Sequence, residues 1–212
     1  MTDSHEYFAT RMAPHSARAT VWRHVARYLC EFIDPQGALL DLAAGYGDLT
    51  GSVDAARRVA IDIHPDLARL VPPNVEAHVG DATDLSRFAD GEFATVTASN
   101  FLEHLDDDGI SRCLAEARRV LRTGGHLILV QPNHRLCAEN YFDDPTHVTV
   151  FDDASLAERV NAAGFRVVRT EPRFLPLTLK SRLSIGARLA PVYLRLPWRP
   201  LAGQMLVVAR KP

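Results

Sequence analysis

The sequence predicts one α/β domain: a mostly parallel, seven-stranded sheet with helices on both faces. Three observations predict it. Short apolar runs of strand length alternate with stretches of helical period. The first run ends in a turn of small residues that is expected to lead into a helix, as strands do where a nucleotide cofactor binds. Acids stand at the ends of the first three runs or in the turns that follow them.

The elements follow in order. Between His15 and Ile33, the residues Val21, Trp22, Val25, Leu29, Phe32 and Ile33 recur at helical spacing. Asp34-Pro35 ends that helix, because proline pushes the preceding residue out of the α region. The expected strands are Ala38–Leu42, Val59–Ile63, Val75–Val79, Ala94–Ala98, His126–Val130, Phe165–Val168 and Gln204–Ala209. Before His126, the residues Ile110, Cys113, Leu114, Ala117, Val120 and Leu121 form one apolar helical face, with Gly124 placed to cap it. A further helix starts at Asp152 or Asp153, buries Leu156, Val160 and Ala163, and stops at Gly164. Alternating strands and helices imply a parallel sheet.

Composition narrows the class. A chain of 212 residues can bury a full core as one domain, 1–212. Residues 1–36 read as an N-terminal helical lid, in which Tyr7, Phe8 and Arg11 precede the first helix. Residues 172–203 read as an insertion before the last strand. That insertion is rich in proline, carries Arg173, Lys180, Arg182, Arg188, Arg195 and Arg199, and holds the amphipathic stretch Leu183–Leu196. Its expected use is a lid or homodimer face, or a peripheral membrane contact. A net charge of −2 argues against a nucleic-acid partner. Cys30, Cys113 and Cys137 have no metal or disulfide spacing, which suits a reducing, cytoplasmic setting. No signal peptide or transmembrane segment is expected.

The turn Asp41-Leu42-Ala43-Ala44-Gly45-Tyr46-Gly47-Asp48 carries the first chemical signal. Gly45 and Gly47 let the backbone approach a ligand closely. A dinucleotide fingerprint fails at Ala43 and Asp48, and no Gly-Lys-Ser/Thr follows to make a phosphate loop. The turn therefore suits a cofactor without phosphates, and S-adenosylmethionine (SAM) is one. Asp62, at the next strand end, is placed to accept both ribose hydroxyls. Asp81 is placed to hold an adenine amino group, with the Ala82 N–H toward a ring nitrogen.

These pieces together resemble the class I SAM-dependent methyltransferases of the methyltransferase-domain superfamily. Asp41 to Gly47 resembles its first motif, Ser99-Asn100-Phe101-Leu102-Glu103-His104-Leu105 its segment after strand four, and Arg119 to Gly125 its helix-to-strand-five hairpin. Val21-Trp22-Arg23, Gln131-Pro132-Asn133, Tyr141 to His147 and Phe174 to Arg182 are similar to an uncharacterised bacterial branch associated with biosynthetic and surface-glycan genes. The resemblance implies a Rossmann-like methyltransferase sandwich and SAM held by Asp41, Ala43, Gly45, Gly47, Asp62, Ile63, Asp81, Ala82, Asn100, Leu102 and His104. Ala43 departs from the glycine common at its position.

The expected reaction moves a methyl group from SAM to a small-molecule or glycan acceptor, most naturally a hydroxyl. His147 and His104 are the candidate bases, with Asp144 orienting His147. Asn133, Tyr141 and His147 are the expected substrate residues. No metal is expected, because these residues lack a local ligand spacing. A nucleic-acid base acceptor is disfavoured because the prolines of Asn/Asp-Pro-Pro-aromatic are missing after Asn100. The rivals are an inactive methyltransferase-like binding protein, which the acids Asp41, Asp62 and Asp81 oppose, and an NAD(P)-dependent reductase. The reductase fails on Ala43, Asp48 and the missing Tyr-x-x-x-Lys.

Overall fold

A computed structural model describes residues 16–176 and 184–212. Seven strands form one sheet in the order β3-β2-β1-β4-β5-β7-β6. They are β1 (Ala38–Leu42), β2 (Arg57–Asp62), β3 (Glu76–Val79), β4 (Phe93–Ser99), β5 (Leu121–Pro132), β6 (Arg166–Pro176) and β7 (Ala202–Arg210). The first five pair in parallel, and β7 runs antiparallel between β5 and β6. Strand order reverses direction between β1 and β4, which opens a crevice at their C-terminal ends.

One face is covered by α1 (Ser16–Tyr28) and by a late helix, Ser184–Arg195. Val25 and Leu29 of α1 join Leu39, Ile128, Val130, Leu206 and Val208 from the sheet, with Ala190 and Leu194 of the late helix. The other face carries α3 (Asp107–Val120) and α5 (Asp153–Ala162), after a one-turn α2 (Leu67–Leu70) and before α6, the late helix; α4 is another single turn (His134–Cys137). Asp106 caps α3 by accepting from the Gly109 N–H, and Asp152 forms a reciprocal capping box with Ser155 on α5.

Four expectations need correction. The turn after β1 does not run into an α-helix: only a 3-10 turn, Thr50–Ser52, separates β1 from β2. The segment holds Gly51, Ser52 and Asp54, so it has no apolar face long enough to dock a helix. α1 covers this region instead, with Leu49, Val53 and Ala55 packed in its cluster. Helix α1 is thus a packing layer more than a lid, while Tyr7, Phe8 and Arg11 lie outside the described residues. Gly124 does not cap α3, which ends at Val120; it sits within β5 at φ 78° and donates its N–H to the Lys211 carbonyl.

The insertion is also shorter than expected. β6 extends through Pro176, absorbing Pro172, and β7 begins at Ala202. Proline is tolerated because β6 is an edge strand with irregular register between Glu171 and Leu175. Helix α6 leaves Leu189 and Val192 exposed, with Trp198 and Leu201 beyond it. Lys180 and Arg182 lie outside the described residues.

Candidate active site

The cofactor turn is built on three left-handed residues: Ala43 (φ 51°), Gly45 (φ 57°) and Gly47 (φ 63°). Alanine bears that conformation at a cost, which is why a glycine would be ordinary there. At Gly47 a Cβ would also stand 3.1 Å from the Val71 side chain. Asp62 ties the turn to β2: it accepts the Gly45 N–H on one oxygen and the His64 N–H on the other, each at 2.9 Å. Each carboxylate oxygen keeps capacity for a further donor. Beside it Ile63 presents an apolar side chain that is 63% exposed.

Asp41 lies beneath the turn and not on its surface. Its carboxylate is buried and accepts from the Thr97 hydroxyl at 2.7 Å and from the Thr50 hydroxyl. Burial pushes its carboxyl up to about 6 against the pull of these two hydroxyls, and nearby Asp62 adds to the rise. Its expected cofactor contact is corrected to a supporting one. Asp81 is exposed and accepts the Thr83 N–H at 2.8 Å, while Ala82 and Leu102 are buried in the main core. Asn100 adopts φ 49° just after β4, and its side-chain oxygen accepts from Gln204 at 2.8 Å.

A second cluster follows β4, the strand that pairs with β1. A 3-10 turn, Leu102–His104, follows β4 and places Glu103 and His104; the loop after α4 brings His147 to them. His104 Nε2 and His147 Nε2 stand 4.0 and 3.9 Å from Glu103 Oε1. The two rings are 4.9 Å apart, edge to face. Glu103 is fully buried, and among the described residues neither carboxylate oxygen bonds any other residue. Burial, reinforced by Asp144, pushes its carboxyl up to about 8, although its own backbone N–H pulls the other way. Burial also holds His104 below the ordinary imidazole value, helped by His147.

The hydrogen bonds orient both rings. His147 Nδ1 lies 2.6 Å from the Tyr141 carbonyl, which can only accept, so Nδ1 carries the proton. The Thr146 hydroxyl donates to Asp144 at 2.6 Å, and so accepts from His104 Nδ1 at 2.9 Å. The Thr146 and Asn100 backbones also bond His104. Asp144 therefore orients His104 through Thr146, not His147 as expected. Its carboxyl is held low: burial would raise it, but two bonds from Thr146 and the nearby imidazoles outweigh that.

Asn133 and Tyr141 serve as supports, which corrects their expected place on a substrate surface. Asn133 is buried, with its amide nitrogen donating to Asp153 and to the Pro172 carbonyl, both at 3.1 Å, and its oxygen accepting the Arg135 N–H. Tyr141 is fully buried and donates to the Thr149 carbonyl at 2.7 Å. Arg199 of the insertion is buried against Glu171 and the Tyr28 hydroxyl, so it is occupied holding α1 to β6. Glu103 is the residue that sequence reasoning passed over. The available signal was a lone acid within the apolar text Phe101-Leu102-Glu103-His104-Leu105.

The methyltransferase-domain family model matches residues 40–129. A demethylmenaquinone methyltransferase of Thermobifida fusca is 31% identical over 163 residues, spanning 60% of this chain and 68% of that protein. The chain belongs to the SAM-dependent methyltransferases. An uncharacterised 37.1 kDa protein from a Streptomyces fradiae transposon is 32% identical over 110 residues; that match covers 47% of this methyltransferase but only 31% of the relative. In fold, it is similar to a SAM-dependent methyltransferase of Archaeoglobus fulgidus, with a TM-score of 0.71, 20% identity and 99% and 100% of the two chains covered.

The residues fit SAM. Asp62 can accept hydroxyls beside the apolar shelf of Ile63, and the turn of Ala43, Gly45 and Gly47 offers close backbone approach, with Arg18 at its edge paired to Asp48. When bound, SAM supplies a methyl carbon on a cationic sulfur that leaves readily. Within this methyltransferase, Asp62, Ile63, Asp81 and the turn would hold it, with Asn100 at the start of the segment that leads to Glu103 and His104.

Proposed function

We propose that this chain methylates a hydroxyl of a small-molecule or glycan acceptor, with the acceptor's proton handled at the Glu103–His104–His147 cluster. One observation carries the reading. Three proton-binding side chains converge beside the cofactor crevice, and their hydrogen bonds orient them without satisfying the carboxylate. Oxygen nucleophiles gain most from such a group, because a neutral hydroxyl attacks poorly until its proton is drawn away. His147 turns an Nε2 lone pair toward Glu103, and only 11% of its side chain is exposed. The ring is thus screened from bulk water yet reachable.

The expected acceptor is not a nucleic acid, and no helix among the described residues is long and apolar enough to cross a membrane. The exposed apolar residues of α6 and the segment after it support a lid or a self-association face. The decisive assay follows conversion of SAM to S-adenosylhomocysteine against panels of sugar, phenol and aliphatic hydroxyls, with amines and thiols as controls. With a hydroxyl acceptor in hand, His147→Ala should lower turnover by about 10²-fold or more at unchanged S-adenosylhomocysteine affinity. Turnover within about threefold of the parent would remove His147 from the proton's path.

A further inference from the structure

We infer that Glu103, His104 and His147 form a binding site for one divalent first-row transition cation. The inference rests on the hydroxyl-acceptor reading only for its catalytic use, since the site itself is argued from coordination chemistry. The ligand atoms, one carboxylate oxygen and two imidazole nitrogens, all lie within 4.8 Å of one another. Ligands at ordinary distances of about 2.1 Å around a tetrahedral ion stand about 3.4 Å apart. The observed 3.9 and 4.0 Å between Glu103 and the rings therefore need a contraction of roughly half an ångström, and the two imidazole ligand atoms, within 4.8 Å, one of at most about 1.4 Å, which side-chain rotations can supply.

Three further features point the same way. The carboxylate is fully buried and aimed at the rings, yet among the described residues no other residue bonds its oxygens. A buried carboxylate without donors is costly unless a proton or a cation joins it. His147 directs a lone pair, not an N–H, toward that carboxylate, because its Nδ1 proton is committed to the Tyr141 carbonyl. A cation between them would take the place of a shared proton and bond both. The outer contacts are also those of metal sites. One imidazole is held by a backbone carbonyl, the other by a threonine that an aspartate fixes in turn.

Two imidazoles and one carboxylate favour Mn²⁺, Fe²⁺, Co²⁺ or Zn²⁺ over Mg²⁺, which prefers an all-oxygen shell. The protein supplies three ligands and leaves coordination positions open, as catalytic sites do. The His104 and His147 side chains are 20% and 11% exposed, so an ion can enter from the rim while the carboxylate stays dry. An acceptor oxygen taking an open position would lose its proton to solvent more readily, as metal-bound water does. The cation then does the work of activation, and His147 serves as its ligand instead of as a free base.

The test uses the full chain, stripped with a chelator and titrated separately with Zn²⁺ and Co²⁺ by calorimetry and, for Co²⁺, visible absorption. One ion per chain is expected, lost in Glu103→Gln and in His147→Gln, with melting curves recorded to show that both variants fold. Thr146→Val leaves all three ligands in place and should weaken binding by about 10- to 100-fold, as loss of an outer contact does. No binding by the parent, or equal binding by Glu103→Gln, overturns the proposal. So does hydroxyl methylation that continues at full rate in excess chelator; that result would leave the hydroxyl reading standing. A bound ion lost in the variants, together with methylation of amines alone, would uphold the metal site and overturn the hydroxyl reading.

Discussion

Two buried carboxylates sit close to one crevice, and the fold treats them in opposite ways. Asp41, on β1, accepts from the Thr50 and Thr97 hydroxyls and anchors the cofactor turn from below. Glu103, just beyond β4, is as deeply buried and has no donor from another of the described residues. Burial raises both carboxyls, to about 6 and about 8, but only Asp41 has hydroxyl donors that pull the value back. A buried acid with its bonds filled is part of the scaffold. A buried acid left unfilled, among oriented imidazoles, is held ready for a partner from outside the chain.

The sharpest way to break this comparison is to neutralise each acid in turn. Glu103→Gln should reduce methyl transfer by about 10²-fold or more while the ligand-free protein melts no lower than the parent, since a costly buried group is removed. Asp41→Ala should do the reverse to the fold, destabilising it by about 1–3 kcal/mol by leaving two buried threonine hydroxyls without their acceptor. If Glu103→Gln melts as low as Asp41→Ala and keeps its turnover, the two roles have been assigned the wrong way round.

The pH dependence of stability sharpens the contrast. Each acid binds its proton more tightly in the folded chain than in the unfolded one, so each contribution to stability is full below the unfolded value. It is lost as pH rises through the folded value. For Asp41 that window runs from about 3.8 to about 6 and is worth up to about 3 kcal/mol. For Glu103 it runs from about 4.5 to about 8. Urea unfolding of the ligand-free chain from pH 4 to pH 8 should show stability falling with pH. Asp41→Asn should flatten the lower part of the curve and Glu103→Gln the upper part. A parent curve that rises with pH across this range would contradict both assignments.

The smallest expected effect belongs to Asp62, which combines the two behaviours by bonding the turn while keeping acceptor capacity. Asp62→Ala should weaken S-adenosylhomocysteine binding by about 1–3 kcal/mol, read by calorimetry. Unchanged affinity would remove Asp62 from the cofactor's ribose.

Much of this was legible in the chain's own text. Periodicity located every strand to within a few residues apart from β5 and β6, and the acids at the strand ends lie on the side of the sheet where the strand order reverses. What periodicity could not show was the lost helix after β1, because nucleotide-cofactor folds set the expectation and the local text of Gly51, Ser52 and Asp54 quietly denied it. β6 was underestimated because its prolines read as loop, which holds for a central strand but not for an edge. The Glu103 cluster was hidden for a different reason. Its third member stands more than forty residues from the first two and arrives by way of a loop whose path depends on Tyr141 being buried. Ligand spacing along a sequence reveals only sites built on one element. Asn133 and Tyr141 were misplaced because polar residues in a long loop read as available, whereas here each spends its bonds on the chain itself.

The absent helix after β1 has a consequence for how the cofactor crevice comes into being. Residues Leu49 to Val53 hold only one local turn of hydrogen bonds, and the cover over them is α1, joined to the turn by the 2.6 Å ion pair of Arg18 and Asp48 across 30 residues of chain. Helix α1 in turn rests on Leu206 and Val208 of β7, the last strand. The cofactor turn therefore depends on contacts made far from it in the sequence. In native-state hydrogen exchange, the amides of Gly51 to Val53 should open together with those of α1 as one cooperative unit, so that momentary undocking of that helix dissolves the cofactor turn.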